Sequence, residues 1–231
     1  MKLAIVTRAD DGIKEMSDIT HPLIEEYAKK CGADFIKLDG EPPITTDDDH
    51  PHYRIMEVYD LYEKYERILV LDTDILIAPN CPNIFDIVPY DKIGVVYEDV
   101  GNRKGQRRQA IQNIQKKFGH IGWYNGYINN GVFLTSKIHK NIFRSINGCY
   151  YIEWGSDDVH IGYLINKNGH KVHELDYKWN HMTMFSEAWN HFADRHKSHI
   201  IHYAGIGQFN LLKSRLENIK SDKEVWYGKA K

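Results

Sequence analysis

The sequence predicts an α/β fold, a single domain with a mostly parallel mixed sheet flanked by helices. Strand-like and helical segments alternate from the N-terminus, an order that implies a parallel sheet with right-handed crossovers. The most apolar run in the chain, Ile68-Leu69-Val70-Leu71-Asp72-Thr73-Asp74-Ile75-Leu76-Ile77, reads as a strand buried on both faces. At 231 residues the chain can bury one substantial core but is short for two domains of usual size.

Leu3 to Val6 reads as the first strand. Thr20-His21-Pro22 then opens a helix with apolar positions Leu23, Ile24, Tyr27, Ala28 and Cys31, stopped by Gly32. Phe35 to Leu38 forms a second strand. After a loop rich in Pro and Asp from Glu41 to Pro51, Ile55, Tyr59 and Tyr62 fall at helical spacing before the apolar strand. The second half is more mixed, with strand-like Ile93 to Tyr97, Tyr127 to Thr135, Lys171 to Leu175 and His199 to Tyr203, separated by two helical stretches. No repeat or linker divides the chain, so a cleft between a first half (1–98) and a second half (99–231) is expected. Ligands of such sheets bind at the carboxyl ends of the strands, where Thr7, Arg8 and Asp10 would converge with Asp72 and Asp74.

Composition limits the function classes. With 42% hydrophobic residues, 27% charged residues and a formal charge of -2, the chain is an ordinary globular protein that is not built to coat nucleic acid. The apolar stretch at the N-terminus is too short for a signal peptide, and no run approaches the ~18 residues of a membrane span. A cytoplasmic protein is the expectation. Cys31, Cys81 and Cys149 are scattered and read as reduced packing residues.

The two aspartates conflict with their surroundings. Burying an unpaired carboxylate costs several kcal/mol, roughly, so Asp72 and Asp74 need a cation or dense hydrogen bonding. Their i, i+2 spacing in an extended chain directs both side chains to one side and Thr73 to the other. Oxygen ligands of this kind suit Mg²⁺ or Mn²⁺, which keep positions open for substrate phosphates, so the expected ligand is a diphosphate.

Asn129-Asn130-Gly131 opens the strand Val132-Phe133-Leu134; the amides offer donors and acceptors to a polyhydroxylated ligand, and the glycine lets a ligand approach the backbone. A plain turn before a core strand is the alternative. His181, His191, His196, His199 and His202 raise a zinc site, but His199 and His202 at i, i+3 in a strand face opposite ways and cannot both hold one ion.

Between Gly101 and Phe118, Arg103, Lys104, Arg107, Arg108, Lys116 and Lys117 accompany no acidic residue. This stretch reads as a solvated basic face, or alternatively as a lid or acceptor-binding element; RNA binding is a third reading that the overall charge opposes. Asp47-Asp48-Asp49 reads as exposed loop. Trp154, Trp179 and Trp189 belong to the core or stack on sugar rings, and exposure decides between the two.

The order Asp72-Thr73-Asp74, Asn129-Asn130-Gly131-Val132-Phe133, Trp179-Asn180, His202-Tyr203-Ala204-Gly205 resembles the retaining GT-A glycosyltransferases of family 8, the glycogenin and lipopolysaccharide galactosyltransferase group, over nearly the whole chain. The compactness is also similar to that of the small Asp-x-Asp transferase domains of large algal (chlorella-type) viruses. The resemblance implies a GT-A fold and a UDP-sugar-dependent hexosyltransferase. It implies Mn²⁺ (or Mg²⁺) held by Asp72, Asp74 and His202 against the diphosphate of a UDP-sugar, with a glycan or glycoprotein as acceptor. Thr7, Arg8, Asp10, Arg54, Asp72, Thr73, Gly205 and Gln208 would contact the donor, and Asn129 would face the sugar. Asp157 would hold sugar hydroxyls, with Asp158 near the anomeric carbon.

The chain departs from the family pattern in two places. Asp157-Asp158 stands where the family usually has Asp-Gln, and Gln208 stands where it usually has a phosphate-binding lysine, so another cation is needed there. Retention can follow either a carboxylate nucleophile or front-face attack by the acceptor with the departing phosphate accepting the proton, and front-face attack is the expected course. The competing readings are a nucleotidyltransferase, for which Thr7-Arg8-Ala9-Asp10-Asp11-Gly12 is a poor phosphate loop, and a protein that binds nucleotide sugar or glycan without turnover.

Overall fold

A computed structural model describes residues 1–8, 11–38 and 51–228. Asp10 and Asp47-Asp48-Asp49 lie outside the described residues. In chain order the elements are β1 (Leu3–Arg8), α1 (Lys14–Cys31), β2 (Asp34–Leu38), α2 (Val58–Leu61), β3 (Arg67–Leu71), β4 (Ile75–Ile77), α3 (Ile84–Ile87), β5 (Lys92–Tyr97), α4 (Lys104–Phe118), β6 (Ile128–Ser136), α5 (Ser156–Lys167), β7 (Lys171–Glu174), β8 (Ile200–His202) and α6 (Arg215–Tyr227). A six-stranded sheet runs β2-β1-β3-β6-β5-β7, and only β6 is antiparallel to its neighbours. No described helix is long and apolar enough to cross a membrane.

The run from Ile68 to Ile77 is two strands instead of one. β3 ends at Leu71, the chain bends through Asp72-Thr73-Asp74, and β4 pairs with β8 in a separate antiparallel two-stranded sheet. Burial on both faces is achieved as expected. Ile68 and Val70 pack among Ile111, Ile114 and Ile161 of α4 and α5. Leu69 and Leu71 pack on the other side with Ile24 and Ala28 of α1 and with Trp179.

Helix α1 begins two turns before Thr20-His21-Pro22, which therefore lies within it. The early turns are held by packing that local pattern does not reveal. Met16 and Ile19 lie against Tyr203 and Ile219. Ile219 belongs to α6, a helix missed in the Lys- and Glu-rich end although Ser214 and Glu217 form a capping box at its start. Gly32 ends α1 in the left-handed conformation, φ 67°. Ile55, Tyr59 and Tyr62 sit on a 3-10 turn, Pro51–Glu57, and the short α2 that follows. Cys31 and Cys81 are buried, whereas Cys149 is exposed in a turn bridged to Ile146.

Four histidines are buried without charge. Burial pushes His21, His139, His160 and His181 down to about 4. The bonding of His160 requires the neutral ring, since Nε2–H donates to the Arg144 carbonyl at 2.7 Å and Nδ1 accepts the Tyr151 N–H at 3.4 Å. A folded-state pKa below the unfolded one gives stability that is complete above about 6.5 and lost as pH falls toward 4. Urea melts between pH 7 and 5 are expected to lose on the order of 1–2 kcal/mol per buried histidine, and His160→Gln should be less stable at pH 7 with a shallower pH slope. A flat profile contradicts the neutral burial.

Candidate active site

A cleft of about 560 Å³ opens at the carboxyl ends of β1 and β3 and is lined from both halves of the chain. The bend at Asp72-Thr73-Asp74 forms its floor. Thr73 turns inward: its hydroxyl donates to the Arg8 carbonyl and lies 3.3 Å from Thr7 Oγ1 and 3.2 Å from His21 Nε2. Asp72 and Asp74 turn to the other side, as the i, i+2 spacing predicts, although a bend replaces the extended strand.

Asp72 Oδ2 and Asp74 Oδ1 lie 3.5 Å and 3.3 Å from His202 Nε2. These three atoms lie within 4.8 Å of one another, and no other such group of three potential ligands occurs among the described residues. The outer oxygens are taken by arginines: Arg8 bonds Asp72 Oδ1, and Arg215 Nη1 lies 3.1 Å from Asp74 Oδ2. Each carboxylate is thus turned to present one oxygen to the corner. Burial raises the Asp74 pKa, but His202 and Arg215 outweigh it and hold the group ionised. Burial lowers that of His202, and Asp74 and Asp72 reverse the shift.

A chain of side chains fixes the imidazole. Glu98 can only accept when ionised, so Asn129 Nδ2 donates to its Oε1 at 2.9 Å, which leaves Asn129 Oδ1 to accept from Asn180 Nδ2 at 2.8 Å. Asn180 Oδ1 then faces His202 Nδ1 at 2.8 Å and takes its proton. In the neutral ring the remaining lone pair, on Nε2, would face the two carboxylates, which favour a cation there: a proton or a metal ion. Two carboxylate oxygens and one nitrogen in this tautomer fit Mn²⁺ or Mg²⁺ as protein ligands that leave positions open.

The Asn129 amide lines the cleft, where it is engaged by Glu98, Asn180 and the Gly131 N–H and orients those neighbours. A Cβ on Gly131 would lie 2.3 Å from His202 Cε1 and 2.9 Å from Asp72 Oδ2. The missing side chain makes room for the ligand corner; the expectation was room for a ligand at the backbone.

Asp157 and Asp158, in the first turn of α5, share the cleft in unlike environments. Asp157 Oδ2 accepts from Arg8 Nη1 and Asn130 Nδ2, both at 2.8 Å, and Ser156 lies 3.1 Å from Oδ1. Burial raises its pKa, but Arg8 leads a set of partners that bring it below the usual carboxylate range. Among the described residues Asp158 accepts only the Asn130 N–H, at 2.8 Å, and burial beside Asp157 and Glu98 pushes it well up.

Arg8, Arg54 and Gly205 line the cleft with these residues, while Thr7 lies buried behind Thr73 and Gln208 is not part of the wall. The cation at that end is Arg215, at the start of the unpredicted α6, whose Nη2 also donates to the Gly205 carbonyl. Of the five C-terminal histidines only His202 reaches the corner; His199 packs on Trp179 at 4.6 Å. The basic stretch is less solvated than read, since Arg107 and Arg108 pair with Glu98 and Asp99 at 2.6 Å and 3.0 Å. Trp179 is core at 5% exposure, and Trp154 is 49% exposed on the cleft wall. Glu98 was missed because no motif marks it.

Neither a protein-family model nor a curated protein matches by sequence. Solved structures do resemble the fold. A glycosyltransferase involved in glycosylation of the major capsid of PBCV-1 has a TM-score of 0.62 at 15% identity over 96% of this chain and 100% of that one. The galactosyltransferase LgtC, in complex with donor and acceptor sugar analogs, has a TM-score of 0.61 at 16% identity over 99% and 98%. The bifunctional glycosyltransferase WbbM has a TM-score of 0.63 at 14% identity over 96% of this chain and 49% of that one. The chain therefore has a GT-A glycosyltransferase fold, at identities where the likeness concerns architecture.

If Asn180 orients His202 toward a metal, Asn180→Ala should weaken Mn²⁺ binding about 10–100-fold without unfolding the protein, and Gly131→Ala should abolish it. Calorimetric titration of Mn²⁺ into folded variants decides. Wild-type affinity in both would remove the corner as a metal site.

Proposed function

We propose that this protein is a metal-dependent glycosyltransferase that moves a sugar from a UDP-sugar to a hydroxyl of a glycan or similar acceptor, with retention. The observation that carries this reading is the convergence of Asp72, Asp74 and His202 in the cleft of a GT-A fold. The neighbours' glycosyltransferase activity supports it by analogy.

Charge explains why a metal is needed. Among the described lining residues, Arg8, Arg54 and Arg215 face Asp72, Asp74 and Asp157, while Arg107 is paired with Glu98 and Asp158 is held toward its neutral form. By formal charge, the four arginines are matched by Asp72, Asp74, Asp157 and Glu98, which leaves little attraction for a diphosphate. A divalent cation held by Asp72, Asp74 and His202 would tip that balance by two charges and would supply Lewis-acid stabilisation of the leaving group. Arg215, beside Asp74 at the open end of the corner, takes the place of the missing lysine at Gln208 and steadies the departing diphosphate.

Neither aspartate of α5 is poised as a nucleophile. Asp157 has both oxygens engaged, and Asp158 is pushed toward protonation. This favours front-face attack: the acceptor oxygen bonds the anomeric carbon on the side from which UDP leaves, and its proton passes to the departing phosphate oxygen. Asp157 and Arg8 then position the sugar, with donor contacts mainly from residues 1–98 and acceptor contacts mainly from 99–231. The metal ligands straddle this division.

Calorimetric titration of UDP is expected to show binding that needs Mn²⁺ and is lost in Asp74→Asn. Arg215→Met should weaken it about tenfold, the worth of one charge-assisted contact. No binding with or without metal would defeat the transferase reading and favour nucleoside triphosphates or glycans as ligands.

A further inference from the structure

Trp154 spends its surface differently from the other tryptophans near the sheet. Trp123 and Trp179 are 3% and 5% exposed, whereas Trp154 leaves 49% of its surface open on the wall of the cleft. Leaving an indole half in water forgoes roughly 1–2 kcal/mol of burial, so its place in a concave wall invites an occupant.

The ring has two close neighbours. The Arg107 guanidinium lies 4.8 Å from the Trp154 ring centroid, and the Tyr127 ring lies 6.2 Å away at 35°. Arg107 is itself fixed by Glu98 at 2.6 Å. The backbone after Trp154 turns sharply, with Gly155 at φ 88° and Ser156, a non-glycine residue, at φ 22°. A Cβ on Gly155 would come within 2.5 Å of Val159 Cγ2 and 2.6 Å of Tyr127 Oη. Strain of this kind persists where surrounding structure enforces it, often at functional sites. Its effect here is to set Trp154 on the wall directly before Asp157 and Asp158.

We propose that the open face of Trp154, backed by Arg107 and Tyr127, is the acceptor subsite and receives a pyranose ring through its apolar C–H face. An aromatic platform suits this ligand because one side of a pyranose presents several C–H groups and its edge carries hydroxyls. The edge would point along the cleft toward Asp157 and Asp158, so that one hydroxyl meets the donor sugar. The acceptor assignment rests on the transferase reading above. Trp189, also exposed, packs on Phe185 outside the cleft lining and offers no such geometry.

The test uses the indole N–H resonances of the full chain, with Trp154→Phe identifying the one that belongs to Trp154. With UDP and Mg²⁺ present, methyl β-glucopyranoside, methyl β-galactopyranoside and methyl β-xylopyranoside are titrated, with sorbitol as an acyclic control. At least one pyranoside should move that resonance saturably, and sorbitol should not. Trp154→Ala should weaken the same glycoside about tenfold, followed on the glycoside signals, with UDP affinity unchanged and Trp154→Phe intermediate. If UDP binds but no pyranoside moves the resonance beyond the control, the platform is wrong and the donor reading stands. If UDP fails to bind with either metal, the donor reading falls and the acceptor assignment falls with it, whatever the pyranosides do.

Discussion

Two carboxylates stand where the chain leaves one sheet for another, and the cleft is organised by the cost of keeping them there. Asp72 and Asp74 follow a strand with no exposed residue and precede another. Arg8, Arg215 and His202 compensate them from three separate parts of the sequence. Because each arginine takes an outer oxygen, the inner oxygens and the imidazole nitrogen point at one another. A buried charge that lacked these partners would cost several kcal/mol, roughly, so the same contacts that stabilise the fold also shape the site.

The influence of that corner extends across the cleft through a continuous set of polar side chains. His202, Asn180, Asn129, Glu98 and Arg107 are joined in sequence by hydrogen bonds or ion pairs, and Arg107 ends against Trp154. Direction in this chain comes from Glu98, the member that accepts at both oxygens. Each asparagine amide is set by the neighbour before it, and the histidine tautomer is the last consequence. Networks of this kind are costly when broken in the middle, because every remaining member loses its reason for one orientation. Trp154 and the ligand corner are therefore parts of one rigid assembly.

The sequence made much of this legible, for reasons that differ by residue. The apolar flanks of Asp72 and Asp74 made their need for compensation visible without a structure, and the structure finds both carboxylates partly buried. Period-two strand geometry separated His202 from His199. What stayed hidden depended on distant packing. Nothing local says that the first turns of α1 are covered by Ile219, or that the chain bends between β3 and β4 to enter a second sheet. Arg215 sits in a stretch whose only signal was the capping box, and Glu98 follows β5 as one acid among many. Gly131 shows a subtler limit: its lack of a side chain was noticed, but which atoms used the space could not be read from the sequence.

The adjacent aspartates of α5 show how strongly placement governs chemistry. They share a helix turn and its favourable dipole, which by itself would keep both ionised. Arg8 reaches only Asp157, and once that carboxylate is charged it works against ionising its neighbour. The pair thus divides into a member held ionised by hydrogen bonds and a member that burial beside Asp157 and Glu98 pushes toward its neutral form. A nucleophile needs a carboxylate that is both charged and free, and neither residue is both. In the transfer proposed above, this division favours the acceptor hydroxyl as the attacking group.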